Sequence, residues 1–161
     1  MTLKRPDSVE WLHRRFEDLG PQQVHDLLHL RQQVFVIEQN CIFPEIDGLD
    51  PQCHHVLGVL DGMIVAAARI VPPGIDPAHR QQGQCPAIGR VVSASSRRGS
   101  GLGKSVMEQA ILACESIFPG QPVFLNGQLY LRSFYESLGF VAFGRVFEED
   151  GIAHIAMKRP A

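Results

Sequence analysis

Apolar and polar positions along this chain alternate with two different periods, and each change of period marks an element. Two apolar runs, His54–Leu60 and Met63–Val71, are separated only by Asp61-Gly62, a pair that favours the tight turn of an antiparallel hairpin. A second such pair, Asp150-Gly151, lies between the runs 141–147 and 152–157 and predicts a second hairpin. Helical spacing governs the stretch after Pro21, where Val24, Leu27, Leu28, Arg31, Val34 and Phe35 share one face and the proline suits the first helical position. The same spacing returns from Lys104, through Val106, Met107, Ala110, Ile111, Cys114 and Ile117, and stops at Pro119-Gly120. Residues 88–93 and 123–126 read as strands, 131–138 as a short helix closed by Gly139, and the irregular 9–19 as an edge strand. This order predicts a mixed α/β fold, antiparallel in its first half and with a β-α-β crossover in its second.

The turn inside that crossover is the first place where chemistry shows. Arg97, Arg98, Gly99, Ser100, Gly101, Gly103 and Lys104 lie between the strand 88–93 and the helix that follows. A Gly-rich turn entering a helix presents unpaired backbone N–H groups at the positive end of the helix dipole, a site for phosphate or pyrophosphate, and arginines beside it suit such a ligand. Two nucleotide patterns fail here. A Walker A loop would need glycine where Arg98 stands, and the dinucleotide fingerprint would need a third glycine where Lys104 stands.

Elsewhere the candidates have two readings each. Residues 36–48 interleave Glu38, Glu45 and Asp47 with Ile37, Ile42, Phe43 and Ile46, so the acids either line a pocket for a cationic amine or face water. Arg69, inside an apolar run, points to solvent or reaches a carboxylate or ligand. His25 and His29 are four apart on a helix, but no H-E-x-x-H arrangement accompanies them, and the four cysteines lack zinc spacing, so no metal is expected. Residues 72–86 form a polar loop rich in Pro and Gly that is expected to be mobile.

Composition narrows the class. A chain of 161 residues with 45% hydrophobic content is expected to form one domain with a substantial core. A net charge of −2 argues against nucleic acid as a partner. No apolar run approaches membrane-spanning length and the first residues lack a secretory apolar region, so a cytoplasmic protein with reduced thiols is expected.

Arg98-x-x-Gly101-x-Gly103 resembles the acetyl-CoA pyrophosphate loop of the GNAT acyltransferases, R/Q-x-x-G-x-G/A. Ser133-Phe134-Tyr135-Glu136-Ser137-Leu138-Gly139-Phe140 resembles the family's F-Y-x-x-x-G-F signature, in the family's order and separation. The segments 34–41, 46–48 and 149–155 are similar to the ElaA-like subgroup, so the resemblance runs from about Leu19 to Met157. It implies a sheet of six or seven strands whose central pair splays, and acetyl transfer from acetyl-CoA to an amine of a small molecule or peptide by direct attack. Backbone N–H groups from Arg98 to Lys104 would hold the pyrophosphate, and Val91 and Val92 would pair with the pantetheine arm. A backbone N–H near Val91 would polarise the thioester carbonyl, and Tyr135 would protonate or hydrogen-bond the departing thiolate.

Two departures from the family pattern stand out. The neighbourhood Pro86-Ala87-Ile88-Gly89 lacks the carboxylate that many members use as a base, leaving Glu38, Asp47 or His154 to do that work. Gln128 stands where Asn is common in the family and keeps the amide chemistry with one more methylene, for a cofactor contact or a structural one. With the expected base missing, a non-catalytic acyl-CoA sensor is the second reading, and a nucleotide-binding module the third. A monomer or a homodimer suits either of the first two.

Overall fold

A computed structural model describes residues 8–76 and 83–161. The loop expected over 72–86 therefore falls partly outside the described residues, as does the start of the N-terminal segment. Seven strands form one sheet: β1 (Glu10–Arg15), β2 (His54–Leu60), β3 (Met63–Val71), β4 (Ala87–Ser93), β5 (Val123–Gln128), β6 (Val141–Glu149) and β7 (Ile152–Arg159). Their spatial order is β1-β2-β3-β4-β5-β7-β6. Neighbours are antiparallel except for β4 and β5, which run parallel because helix α2 (Leu102–Ile117) carries the chain across between them. Both Asp-Gly pairs make hairpin turns with positive φ at each residue, 50° and 77° at Asp61-Gly62 and 53° and 77° at Asp150-Gly151.

The sheet is covered on both faces, which is why β3 is buried almost throughout instead of alternating. Helix α2 seats Val106, Met107, Ala110 and Cys114 on one face against Val56, Ala68, Ile70, Ile88 and Leu125. Helix α1 (Pro21–Arg31) seats Leu27 and Leu30 on the other, against Leu57, Ala67 and Val92. The periodicity of α1 does not continue as an α-helix to Phe35. From Gln32 to Glu38 the chain winds as a π-helix, with Gln39 N–H bonding Val34 O and Cys41 N–H bonding Val36 O, both at 3.1 Å. The wider turn changes which residues face inward, and such turns recur at functional sites.

Two irregularities shape the middle of the sheet. Arg90 and Val91 of β4 together oppose Ala68 of β3, a bulge in which Arg90 takes φ of 50°. On its other side β4 meets β5 through one pair of residues, Ala87 and Phe124, and then the two strands diverge. The edge of β4 beyond that point carries backbone groups with no neighbouring strand.

Candidate active site

Between the diverging strands opens a cleft of about 740 Å³. The β4 edge from Ala87 to Ser93 forms one wall, and Leu125, Asn126 and Gln128 of β5 form the other. The π-helix closes one side with Val34, Phe35, Val36 and Glu38, and Phe134 and Tyr135 of helix α3 (Arg132–Ser137) close another.

The Gly-rich turn lies at the mouth. Ser95–Arg97 forms one 3-10 turn, Gly99 and Gly101 take φ of 81° and 80°, and Gly101 caps α2. Within this helix the first backbone N–H to find a partner is that of Ser105, which donates to Gly101 O at 3.1 Å. The N–H groups of residues 102–104 therefore project from the helix start, as an anion site requires. Arg98 and Gly103 line the cleft, whereas Arg97, Gly99, Ser100, Gly101 and Lys104 lie beside it. The Ser100 hydroxyl donates to Arg97 O at 2.5 Å, and Lys104 pairs loosely with Glu108 at 3.9 Å.

Tyr135 is held by its surroundings. Its ring lies against β5 where Gly127 has no side chain, and a Cβ there would come within 2.9 Å of the ring edge. Phe134 and Phe140 flank it with ring centroids at 5.3 and 6.2 Å. Arg159 fixes the end of α3 by donating from Nε to Leu138 O at 3.0 Å and from Nη1 to Glu115 at 2.9 Å. Burial pushes the Tyr135 hydroxyl up to about 12, so it keeps its proton at any ordinary pH.

Glu38, Asp47 and Arg69 are all engaged. Arg98 reaches across the cleft to Glu38 with both terminal nitrogens, Nη2 donating to Oε2 at 2.8 Å and Nη1 to Oε1, and this pairing lowers the Glu38 pKa. Arg69 is 4% exposed and donates to Asp47 at 2.8 and 2.7 Å and to Asp50 at 3.2 Å. Arg31, 1% exposed, donates to Asp50 at 2.7 and 3.1 Å and to Glu45 at 2.8 Å. Arg90 completes the cluster, its Nε 2.9 Å from Glu45 and its Nη2 3.3 Å from Asp47.

Three arginines thus meet three carboxylates. Burial works to raise the Asp47 pKa, but hydrogen bonds from Arg69 and Leu49 N–H and the charges of Arg69 and Arg90 bring it down to about 2. Of the two alternatives for Arg69, the structure selects the carboxylate. Glu45 and Asp47 are satisfied internally and anchor the 39–52 loop to the sheet.

His154 also lines the cleft. It is 8% exposed, stacks on Phe147 with centroids at 5.8 Å, and places Nδ1 2.6 Å from Ile152 O. Gln128 stands beside it in register on β5. Val91 and Val92 belong to the β4 wall. Among the described residues no group of His, Cys, Asp and Glu is arranged to hold a metal ion.

Sequence reasoning missed two features. Asn126, on the β5 wall, has a buried Oδ1 with no hydrogen-bond partner among the described residues. Its signal was an amide following the apolar run Val123-Phe124-Leu125 of a strand, where asparagine is disfavoured. Arg31 sat on the apolar face of its helix, and a charge at a core position is itself a sign of a buried pair.

Comparison with known proteins agrees with this geometry. Residues 60–160 match the acetyltransferase (GNAT) domain family. Protein ElaA of Escherichia coli is 38% identical over 155 residues, 94% of this chain and 96% of that protein. Its crystal structure superposes with a TM-score of 0.85 at 37% identity, covering 94% of this chain and 99% of ElaA. An acyl-CoA N-acyltransferase from Pseudomonas aeruginosa gives the same TM-score, 0.85, at 40% identity and covers 94% and 99% of the two chains. A splayed parallel pair, a Gly-rich helix start at its mouth and these full-length relatives lead to one conclusion: the chain belongs to the GNAT acetyltransferase family, in its ElaA-like branch.

Proposed function

We propose that the protein transfers an acetyl group from acetyl-CoA to an amine of a small molecule or peptide, acting as one domain in the cytoplasm. The observation that carries this reading is the separation of β4 from β5 after one pair of residues, which leaves a strand edge facing a cleft. A pantetheine arm is an extended chain of amides, and an unpaired strand edge binds such a chain as it would a further strand. Val91 and Val92 supply that edge, the N–H groups at the start of α2 meet the pyrophosphate, and Arg97, Arg98 and Lys104 supply positive charge. The bulge at Arg90 and Val91 turns a backbone N–H of β4 out of the ladder, where it serves as the donor to the thioester carbonyl. Tyr135 acts on the departing sulfur. Because its pKa of about 12 exceeds that of a thiol, roughly 8.5, it stabilises the thiolate by donating a hydrogen bond without surrendering the proton. Asn126 and Gln128 offer amides to the same chamber, and no resident cofactor or metal enters this reading.

Thermal unfolding with acetyl-CoA, CoA, ATP and NAD tests it, with Gly103→Glu as the control. Gly103 lines the cleft, and a Cβ there would meet no atom within 4 Å, so the substitution leaves the backbone unstrained and places a carboxylate in the pyrophosphate site. Ligand at a hundred times its dissociation constant adds about 2.7 kcal/mol to the wild type. The expected result is stabilisation by acetyl-CoA and CoA that Gly103→Glu abolishes, followed by CoA release when amines are added. No stabilisation of the wild type by either CoA species would overturn the reading. The absence of a carboxylate on the first residues of β4 favours a second one, an acyl-CoA sensor, which predicts binding without turnover under any amine.

A further inference from the structure

Direct transfer to an amine needs a group that removes a proton from an ammonium, and two of the three sequence candidates are already occupied. Glu38 is held by Arg98, and Asp47 by Arg69 and Arg90. Carboxylates bound by guanidinium groups are weak proton acceptors.

His154 differs in kind. Its Nδ1 lies 2.6 Å from Ile152 O, and since a carbonyl can only accept, Nδ1 carries the hydrogen, so that in the neutral ring the lone pair falls on Nε2. The nearest ionic group to Nε2 is the Glu149 carboxylate at 3.8 Å, too far for a hydrogen bond and near enough to attract a cation between them. Phe147, brought into register by a bulge in β6 over residues 144–146, stacks on the imidazole and fixes its plane. Gln128, the neighbour on β5, is neutral, while Tyr135 and the Arg98–Glu38 pair line the same cleft.

The two faces of the sheet divide the labour. His154 shares its face with Gln128 and Asn126, whereas Tyr135 lies on the other face, against Gly127. Both line the cleft between β4 and β5. A nucleophile enters a thioester from one side as the sulfur departs from another, so an acceptor of protons and a donor to sulfur belong on opposite faces.

On the acyltransferase reading above, we propose that His154 Nε2 deprotonates the acceptor amine and that the Glu149 carboxylate draws the acceptor's ammonium to it. The ammonium gives one proton to Nε2, which passes it to solvent. The amine nitrogen then forms its bond to the acyl carbon, and the C–S bond breaks with its electron pair on sulfur. The second proton, shed by the nitrogen, reaches through solvent the thiolate that Tyr135 has stabilised, so amide and CoA thiol are released.

The test follows CoA release by wild type, His154→Gln and Glu149→Gln across pH. Benzylamine, cadaverine and a lysyl tripeptide serve as cationic acceptors, and benzhydrazide as one already neutral. For the cationic acceptors, His154→Gln should lower kcat/KM about 100-fold or more near neutral pH, with rate regained as pH approaches the amine's own pKa. With benzhydrazide the loss should be under about tenfold, because less proton removal is demanded. Thermal stabilisation by acetyl-CoA should be unchanged, and Glu149→Gln should raise KM for cationic acceptors while kcat holds. Equal losses for both acceptor classes, or a wild-type rate in His154→Gln, would overturn the assignment alone. A wild type that binds acetyl-CoA yet turns over no acceptor would overturn the acyltransferase reading together with it.

Discussion

Removing the Asp50 carboxylate should be among the most damaging single changes in the protein, although Asp50 lies outside the cleft. It accepts two hydrogen bonds from Arg31 at 2.7 and 3.1 Å and one from Arg69 at 3.2 Å. Those arginines are 1% and 4% exposed, so neither can turn to water when its partner goes. Asp50→Ala leaves three guanidinium groups on two carboxylates, and one uncompensated buried charge costs about 3–5 kcal/mol. Against a total stability of roughly 5–15 kcal/mol, that is a large fraction. At this chain length each kcal/mol moves Tm by about 2–4 °C, so Tm should fall by roughly 6–20 °C.

Urea unfolding followed by circular dichroism reads the loss directly, as a lower midpoint at unchanged slope. The double variant Arg31→Met, Asp50→Ala restores the balance, because Glu45 keeps Arg90 and Asp47 keeps Arg69. It should recover about 2 kcal/mol or more of the single-variant loss, a coupling that independent sites would not show. A single variant within about 1 kcal/mol of wild type, or additive effects in the double, would refute the argument.

Three further outcomes are expected. Asp47, held at about 2 instead of 3.8, has a folded pKa below its unfolded one; its contribution, about 1 kcal/mol once screening by the water around this partly exposed carboxylate is counted, is present above about pH 4 and lost as pH falls toward 2, which acid titration of the unfolding free energy would show. Gly127→Ala forces a methyl to within 2.9 Å of Tyr135 and 3.1 Å of Leu125, so it should cost about 1–3 kcal/mol in stability and lower turnover more than acetyl-CoA affinity, as calorimetry beside a rate assay would measure. Burial pushes the thiols of Cys53 and Cys114 up to about 11 and 12, so maleimide on the native protein should modify the partly exposed Cys41 first and reach those two only after denaturation, read by mass spectrometry.

The elements that could be read from sequence are those whose signal is local. Asp61-Gly62 and Asp150-Gly151 announce their hairpins because the turn itself demands residues that accept positive φ. Val106, Met107, Ala110 and Cys114 repeat at the period of the helix they form and are buried as that period requires. The Gly-rich turn and Tyr135 were visible as spaced motifs, and the fold carries both to the splay between β4 and β5. What stayed hidden depends on partners distant in the chain. Nothing near Arg31 says that it will meet Asp50 nineteen residues on, and Arg69 had two open readings until the 39–52 loop folded over it. The π-helix was equally silent, since Val34 and Phe35 continue an α-helical pattern that the backbone abandons at Gln32. His154 stood level with Glu38 and Asp47 as a candidate base, and what sets it apart, the β6 bulge that brings Phe147 onto its ring, lies in the pairing of the strands.

The parting of β4 from β5 also governs how the molecule comes apart. One backbone pair, Ala87 with Phe124, and the bond from Phe124 N–H to Pro86 O at 2.9 Å join the four-stranded leaf β1–β4 to the three-stranded leaf β5–β7–β6. Packing on α2 and a smaller cluster that joins Val71 and Ala87 to Phe124 and Ala156 also hold the seam, so the leaves share side chains more than they share a hydrogen-bond ladder. Amides in β7 and β6 can then exchange with solvent by openings that leave β2 and β3 protected, and the two leaves need not unfold as one unit. A ligand that bridges the gap as an extra strand supplies the missing rungs. Its binding energy is spread across both leaves, so the ligand should slow amide exchange in β6 and β7 toward the rates of β2 and β3.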